Sequence, residues 1–250
     1  APEDRWAVKG EASGINPGRV RADLPGRLDF AFAAQGKGFG AQSNFTLDLR
    51  DLQGQLRGTR ASGGGQIARR AGAWEFTRAR LVLGGASLAA DGRIAETIDL
   101  RFSVDAQDLS LLAQDSRGTL QAEGTVQGTA LNPIIEADAR GSGIHHQGVS
   151  LESFTASVRF DASGRRPSDV DVRARNLLFR KRTIDEIALE LKGAAADHVA
   201  RLTAKATGLA LDSELKGAFA DGVWNGKLQK LNVNGSDALH LELDSPVEAV

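Results

Sequence analysis

Between Leu209 and Phe219 the side chains alternate without a break: Leu209, Leu211, Ser213, Leu215, Gly217 and Phe219 fall on one parity, and Asp212, Glu214 and Lys216 on the other. A period of two marks a strand with one apolar and one wet face. It excludes an amphipathic helix, whose apolar residues recur every three to four positions. A ribbon of this kind has to cover its apolar face, so whatever this chain folds into is decided by how it does so.

The same pattern runs through most of the chain. Leu28, Phe30 and Phe32 are in phase, then Phe45, Leu47 and Leu49, with Leu52 out of phase and predicting a β-bulge or turn near Asp51. Trp74 and Phe76 open a strand that continues through Leu81 and Leu83 after a phase shift, and Ile98, Leu100, Phe102 and Val104 alternate with Asp99, Arg101 and Asp105. Later come Phe154, Ala156, Val158 and Phe160, then Ile187, Leu189 and Leu191, and finally Leu239, Leu241 and Leu243. Turns are expected at the intervening Gly, Asn and Pro clusters: Ile15–Gly18 between two short strands (5–13 and 18–24), Gly36–Gly40, Gly63–Gly65 and Gly84–Gly85. One short helix is expected near 108–114, where Asp108 precedes an apolar run at 109–113 and is suited to cap it.

Composition agrees. Twenty-nine glycines, 5% aromatics and no tyrosine suit many short strands joined by tight turns. A net charge of -1 supplies no field for nucleic acid or an anionic membrane. Local basic clusters at Arg69–Arg70, Arg165–Arg166 and Arg180–Lys181–Arg182 read as solvated turns, with a phosphate-binding rim as the alternative. The chain has no cysteine and so no disulfide or thiolate site. With no methionine and a start at Ala1, it is expected to be a piece of a longer protein.

The sequence offers no catalytic or metal constellation. His145 and His146 are strand neighbours that face opposite ways, and His198 and His240 read as isolated on the outward, charged parity. The carboxylates alternate with arginine and lysine as on a solvated β-face, and the glycine-rich runs lack the ending of a P-loop. No enzyme activity, metal or cofactor is expected.

One ordered set of features carries a resemblance. Ile187, Leu189, Leu191 and Gly193 are followed by Asp197 and His198 opening the next strand. Leu215 and Gly217 come next, then Trp224, Gly226, Leu228 and Leu231, and a last strand ending at Pro246. This order is similar to the C-terminal region of TamB, the inner-membrane component of the translocation and assembly module of Gram-negative bacteria, within the AsmA-like, bridge-like lipid-transfer group. Gly124–Pro133 resembles a phrase that recurs in the same family.

Three architectures could hide so many one-sided strands. An outer-membrane barrel wants aromatic girdles, which are lacking here. A sandwich takes about 100 residues, so this length would need two with a linker between them, and none is visible. The resemblance implies the third: an all-β, elongated, mainly antiparallel curled sheet, the U-shaped β-taco, with an apolar groove inside and residues 1–250 forming one segment. About sixteen strands at ~4.8 Å each would run roughly 75 Å. The groove lining is expected from Leu28, Phe30, Phe32, Phe45, Leu47, Leu49, Ile98, Leu100, Phe102, Val104, Phe154, Val158, Phe160, Ile187, Leu189, Leu191, Leu209, Leu211, Leu215, Phe219, Leu239, Leu241 and Leu243.

For function, the resemblance implies a periplasmic segment, its parent anchored in the inner membrane, that carries phospholipid acyl chains between the two membranes and supports outer-membrane biogenesis. The outer-membrane barrel TamA is the implied partner. A scaffold that assembles and secretes outer-membrane barrels and autotransporters with TamA by strand addition is the alternative, and a ligand-free structural β-solenoid is the second.

Overall fold

The computed structural model describes residues 5–38, 43–220, 223–236 and 239–249, with the side chains of residues 219, 220 and 249 outside the description. It is all-β, with antiparallel strands and almost no helix. The chain divides into two compact units, residues 1–114 and 115–250.

The first unit is a meander of β1 (Arg5–Ile15), β2 (Gly26–Lys37), β3 (Asn44–Leu56), β4 (Thr59–Arg70), β5 (Ala73–Leu83), β6 (Ala86–Ile94) and β7 (Thr97–Ala106), each antiparallel to the next. Residues 18–24, expected as a strand, instead form a loop opened by a 3-10 turn at Pro17–Arg19. Pro17 and Pro25 bracket this segment, and the Asn16 carboxamide oxygen accepts from Gly18 N–H at 2.9 Å and Gly26 N–H at 3.1 Å, fastening both ends. The expected short helix is a single 3-10 turn, Leu109–Leu111, with Asp108 accepting from Ser110 N–H at 2.9 Å. That bond holds the Asp108 carboxyl below its ordinary range.

Gly63–Gly65 does not reverse the chain. The reversals lie on either side, at Arg57–Gly58 and Ala71–Gly72, and the three glycines sit in the middle of β4. The reason is the bulging of both neighbours. Asp51 on β3 (φ 54) and Arg78 on β5 (φ 49) each add a residue to their strand, shifting the register between Leu49 and Leu52 and between Phe76 and Ala79. A Cβ on Gly65 would lie 2.5 Å from the Arg78 carbonyl oxygen, so only glycine lets β4 pass there. A further bulge at Gly14 on β1 is fastened by its N–H to Asp29 at 2.7 Å, and that at Arg78 by its N–H to Asp91 at 2.8 Å. Bulges on alternate strands increase local twist and bend, and they carry the curl of this unit. The core is small: Leu28, Leu56, Ala61 and Leu83, with Leu24, Phe30, Leu52 and Leu111 packed against them.

The second unit continues the pattern with β8 (Ser116–Thr129), β9 (Pro133–His146), β10 (Val149–Asp161), β11 (Ser168–Phe179), β12 (Arg182–Ala194), β13 (Asp197–Ala206), β14 (Leu209–Ala220) and β15 (Val223–Gly235). Two three-residue strands, β16 (His240–Glu242) and β17 (Val247–Ala249), pair with different parts of β15. Within each unit the closest backbone contacts between strands run between neighbours in the sheet.

Candidate functional site

Alternation and register together build a continuous apolar face. In the second unit one row crosses the sheet as Ala137, Val158, Val170, Leu191, Ala200, Leu215, Leu228 and Val247. The next reads Ala139, Ala156, Val172, Leu189, Leu202, Ser213 and Leu231, and a third Gly141, Phe154, Ala174, Ile187, Ala204, Leu211, Val233 and Leu241. Ser213 is the polar intruder, and its hydroxyl donates to the Leu202 carbonyl at 3.3 Å.

The first unit has equivalent rows. Val8, Ala34, Leu47, Ile67, Phe76, Gly92 and Leu100 form one, and Leu52, Gly63, Leu81, Leu88 and Val104 another. Phe32 lies opposite Gly10 and Leu49, Phe45 opposite Gly36 and Arg69, and Phe102 opposite Ala90. Large side chains thus face glycine or alanine on the neighbouring strand, which lets them lie low over the sheet.

The opposite parity is wet and paired. Asp171, Glu190, Arg201, Glu214 and Lys230 form one cross-strand row, with Arg201 to Glu214 at 2.7 Å and Arg173 to Asp171 at 3.1 Å. Lys205 bonds Glu186 at 2.9 Å and holds that carboxyl below its usual range. These pairs are exposed, and each is worth little on its own.

Burial along the apolar parity is shallow. Of the expected lining residues with described side chains, Leu28 is buried, at 9% exposure. Phe30, Phe32, Phe45, Leu47, Leu49, Ile98, Leu100, Phe102, Val104, Phe154, Val158, Phe160, Ile187, Leu191, Leu211, Leu215 and Leu243 are half-buried. Leu189, Leu209, Leu239 and Leu241 are exposed. The side chain of Phe219 lies outside the described residues. No buried apolar side chain among the described residues is larger than leucine.

At one end of the second unit the face deepens into a cavity of about 330 Å³, lined by Leu131, Pro133, Phe160, Leu191, His198 and Trp224 among others. The expectation from sequence alone puts His198 on the outward, charged parity. It is instead on the apolar parity of β13, opposite Gly193 and Gly217, and half-buried. Trp224 Nε1–H donates to His198 Nε2 at 2.8 Å, and the other ring nitrogen lies 3.2 Å from the Ala195 carbonyl. That carbonyl can only accept, so Nδ1 carries the proton. The signal was present in the sequence, since His198 shares its parity with Ala200, Leu202 and Ala204.

Beside this cavity Asp161, 4% exposed, organises the turn between β10 and β11. Burial pushes its carboxyl upward and is the largest single influence. The Ser163 hydroxyl, the Ser163 N–H at 2.8 Å and the Arg166 N–H at 3.1 Å together outweigh it, leaving the group below its ordinary value of 3.8. The other histidines bond locally, His145 and His146 to Ser150 and Ser116, each at 2.8 Å, and His240 to Asn234 at 2.7 Å.

An all-β protein of long antiparallel strands, each with one apolar and one charged face, is the class that these features define. A family model described as TamB, N-terminal domain, matches residues 3–249, and the chain belongs to the TamB family. TamB proteins are envelope proteins. The family agrees with the order of motifs in the sequence, but the matching model describes the N-terminal domain, whereas those motifs resembled the C-terminal region. No solved structure matches the chain. No helix among the described residues is long and apolar enough to cross a membrane.

Proposed function

We propose that this chain is a length of periplasmic groove that carries phospholipid between the inner and outer membranes, with acyl chains lying along the apolar parity and head groups left in water. The observation that carries this reading is the shallow burial of the apolar face: Phe32, Phe45, Leu100, Phe154, Ile187 and Leu191 stay half-buried and Leu189 and Leu241 exposed on one parity, while the other is laced with ion pairs. A dry solenoid would have closed over these residues. An uncovered apolar surface is costly in water, and each acyl methylene buried against it contributes about 0.8 kcal/mol.

In this reading residues 1–250 act as one segment, the parent is anchored in the inner membrane and hands lipid towards the outer-membrane barrel TamA, and the chain performs no covalent chemistry. Native mass spectrometry of the whole purified chain tests it. Bound phospholipid, displaced by detergent without loss of the β signal in circular dichroism, is expected. A folded chain that emerges free of lipid, and takes none up from vesicles, contradicts it.

A further inference from the structure

The hairpin between β11 and β12 ends in the sequence Leu178-Phe179-Arg180-Lys181-Arg182, and three of its features differ from its surroundings. First, Leu178 and Phe179 are exposed, at 38% and 47%, although they adjoin a strand end where polar residues would be expected. Second, Arg180, Lys181 and Arg182 are three consecutive exposed cations that form no ion pair with any described residue. Third, Phe179 pairs with Arg182 across a two-residue turn whose central residues, Arg180 and Lys181, have φ of 48° and 67°. A turn with both φ positive is the type that favours Asn-Gly, and placing Arg-Lys there is disfavoured. The neighbouring β9–β10 turn, with Gln147 and Gly148 at positive φ, does use glycine.

We propose that this hairpin tip is a docking element for an anionic phospholipid surface. The turn is tight and has no loop to fold back, so it projects three cations from a fixed backbone, and each Lys or Arg near such a surface contributes about a fivefold gain in affinity. The Arg180 guanidinium lies 5.1 Å from the centroid of the Phe179 ring, which puts charge and apolar ring side by side at the level where head groups meet acyl chains. A strained turn that keeps two cations in place of Asn-Gly is what a surface contact would preserve and folding alone would not. An acidic peptide would satisfy the charges but gives no use for exposed Leu178 and Phe179. This surface contact is separate from acyl-chain passage along the apolar face.

Flotation of the whole chain with vesicles of phosphatidylglycerol and phosphatidylcholine in equal parts, against vesicles of phosphatidylcholine alone, tests the assignment. Binding to the first and not the second is expected, weakening as salt rises. Arg180→Asn with Lys181→Gly installs the residues the turn prefers, so the melting temperature should hold or rise while vesicle affinity falls about thirtyfold. Phe179→Ser should weaken binding with the charges intact. Phospholipid carried by the Arg180→Asn, Lys181→Gly chain, read by native mass spectrometry, should equal that of the parent, which separates this contact from lipid carriage. Equal binding to both vesicle types, an Asn-Gly variant that binds as the parent does, or binding to polyglutamate with none to vesicles would each overturn the proposal.

Discussion

The Trp224 indole reaches across β14 to donate its N–H to His198 Nε2 at 2.8 Å, and the strand it crosses is bare at that point because residue 217 is glycine. A Cβ on Gly217 would meet Trp224 Cζ2 at 2.5 Å, and one on Gly226 would meet the same atom at 2.5 Å. Two glycines, a tryptophan and a histidine therefore act as one unit that ties β13 to β15 and walls the end of the cavity.

Trp224→Phe keeps the ring packing but removes the donor, leaving His198 Nε2 without its partner. The expected cost is about 1 kcal/mol in urea unfolding. Nitrogen-15 imidazole shifts should report the Nδ1–H tautomer for His198 in the parent chain. A parent with Nε2 protonated would contradict the hydrogen-bond assignment.

Asp161→Ala should cost about 1 to 3 kcal/mol, since it leaves the Ser163 and Arg166 N–H groups of a buried turn without their acceptor. The folded carboxyl titrates below its ordinary 3.8, so its contribution is complete above that value and is lost as pH falls through the lowered one. Acid unfolding curves of Asp161→Asn should therefore be shallower below pH 3.8 than those of the parent. Parallel curves would show that Asp161 contributes nothing to acid sensitivity.

Gly65→Ala tests the bulge account. With φ at 121° and the Arg78 carbonyl oxygen 2.5 Å from the new methyl, the strand has to shift, and a loss above about 1 kcal/mol is expected. Gly58→Ala, with φ at 75° and open space around it, should lose less. Equal losses would mean that close approach at Gly65 is not what selects glycine there.

Much of this was legible in the residues. Strand alternation at 98–104, 154–160 and 187–191 marked elements that the structure contains, and the phase break at Leu52 located the Asp51 bulge because an inserted residue moves every later side chain to the other face. The Asp108 cap was visible for the same local reason. Gly63–Gly65 was misread because its role depends on bulges in two other strands, which no window around the glycines contains. The cavity beside Asp161 was invisible because its walls come from Leu131 to Trp224, brought together only by register.

The central claim is that the apolar parity is a surface for lipid and not a sealed core, and charge placed on it separates the two. Leu189 is 36% exposed between Val172 and Leu202, so an aspartate there keeps some contact with water at an open face, whereas in a dry core it would be an unpaired buried charge. Phospholipid content and melting temperature should be measured together on Leu189→Asp and Leu100→Asp in the whole chain. A melting temperature lowered by a few degrees with bound phospholipid abolished is the predicted result; outright unfolding, or a folded variant that still carries phospholipid at the parent level, would contradict it.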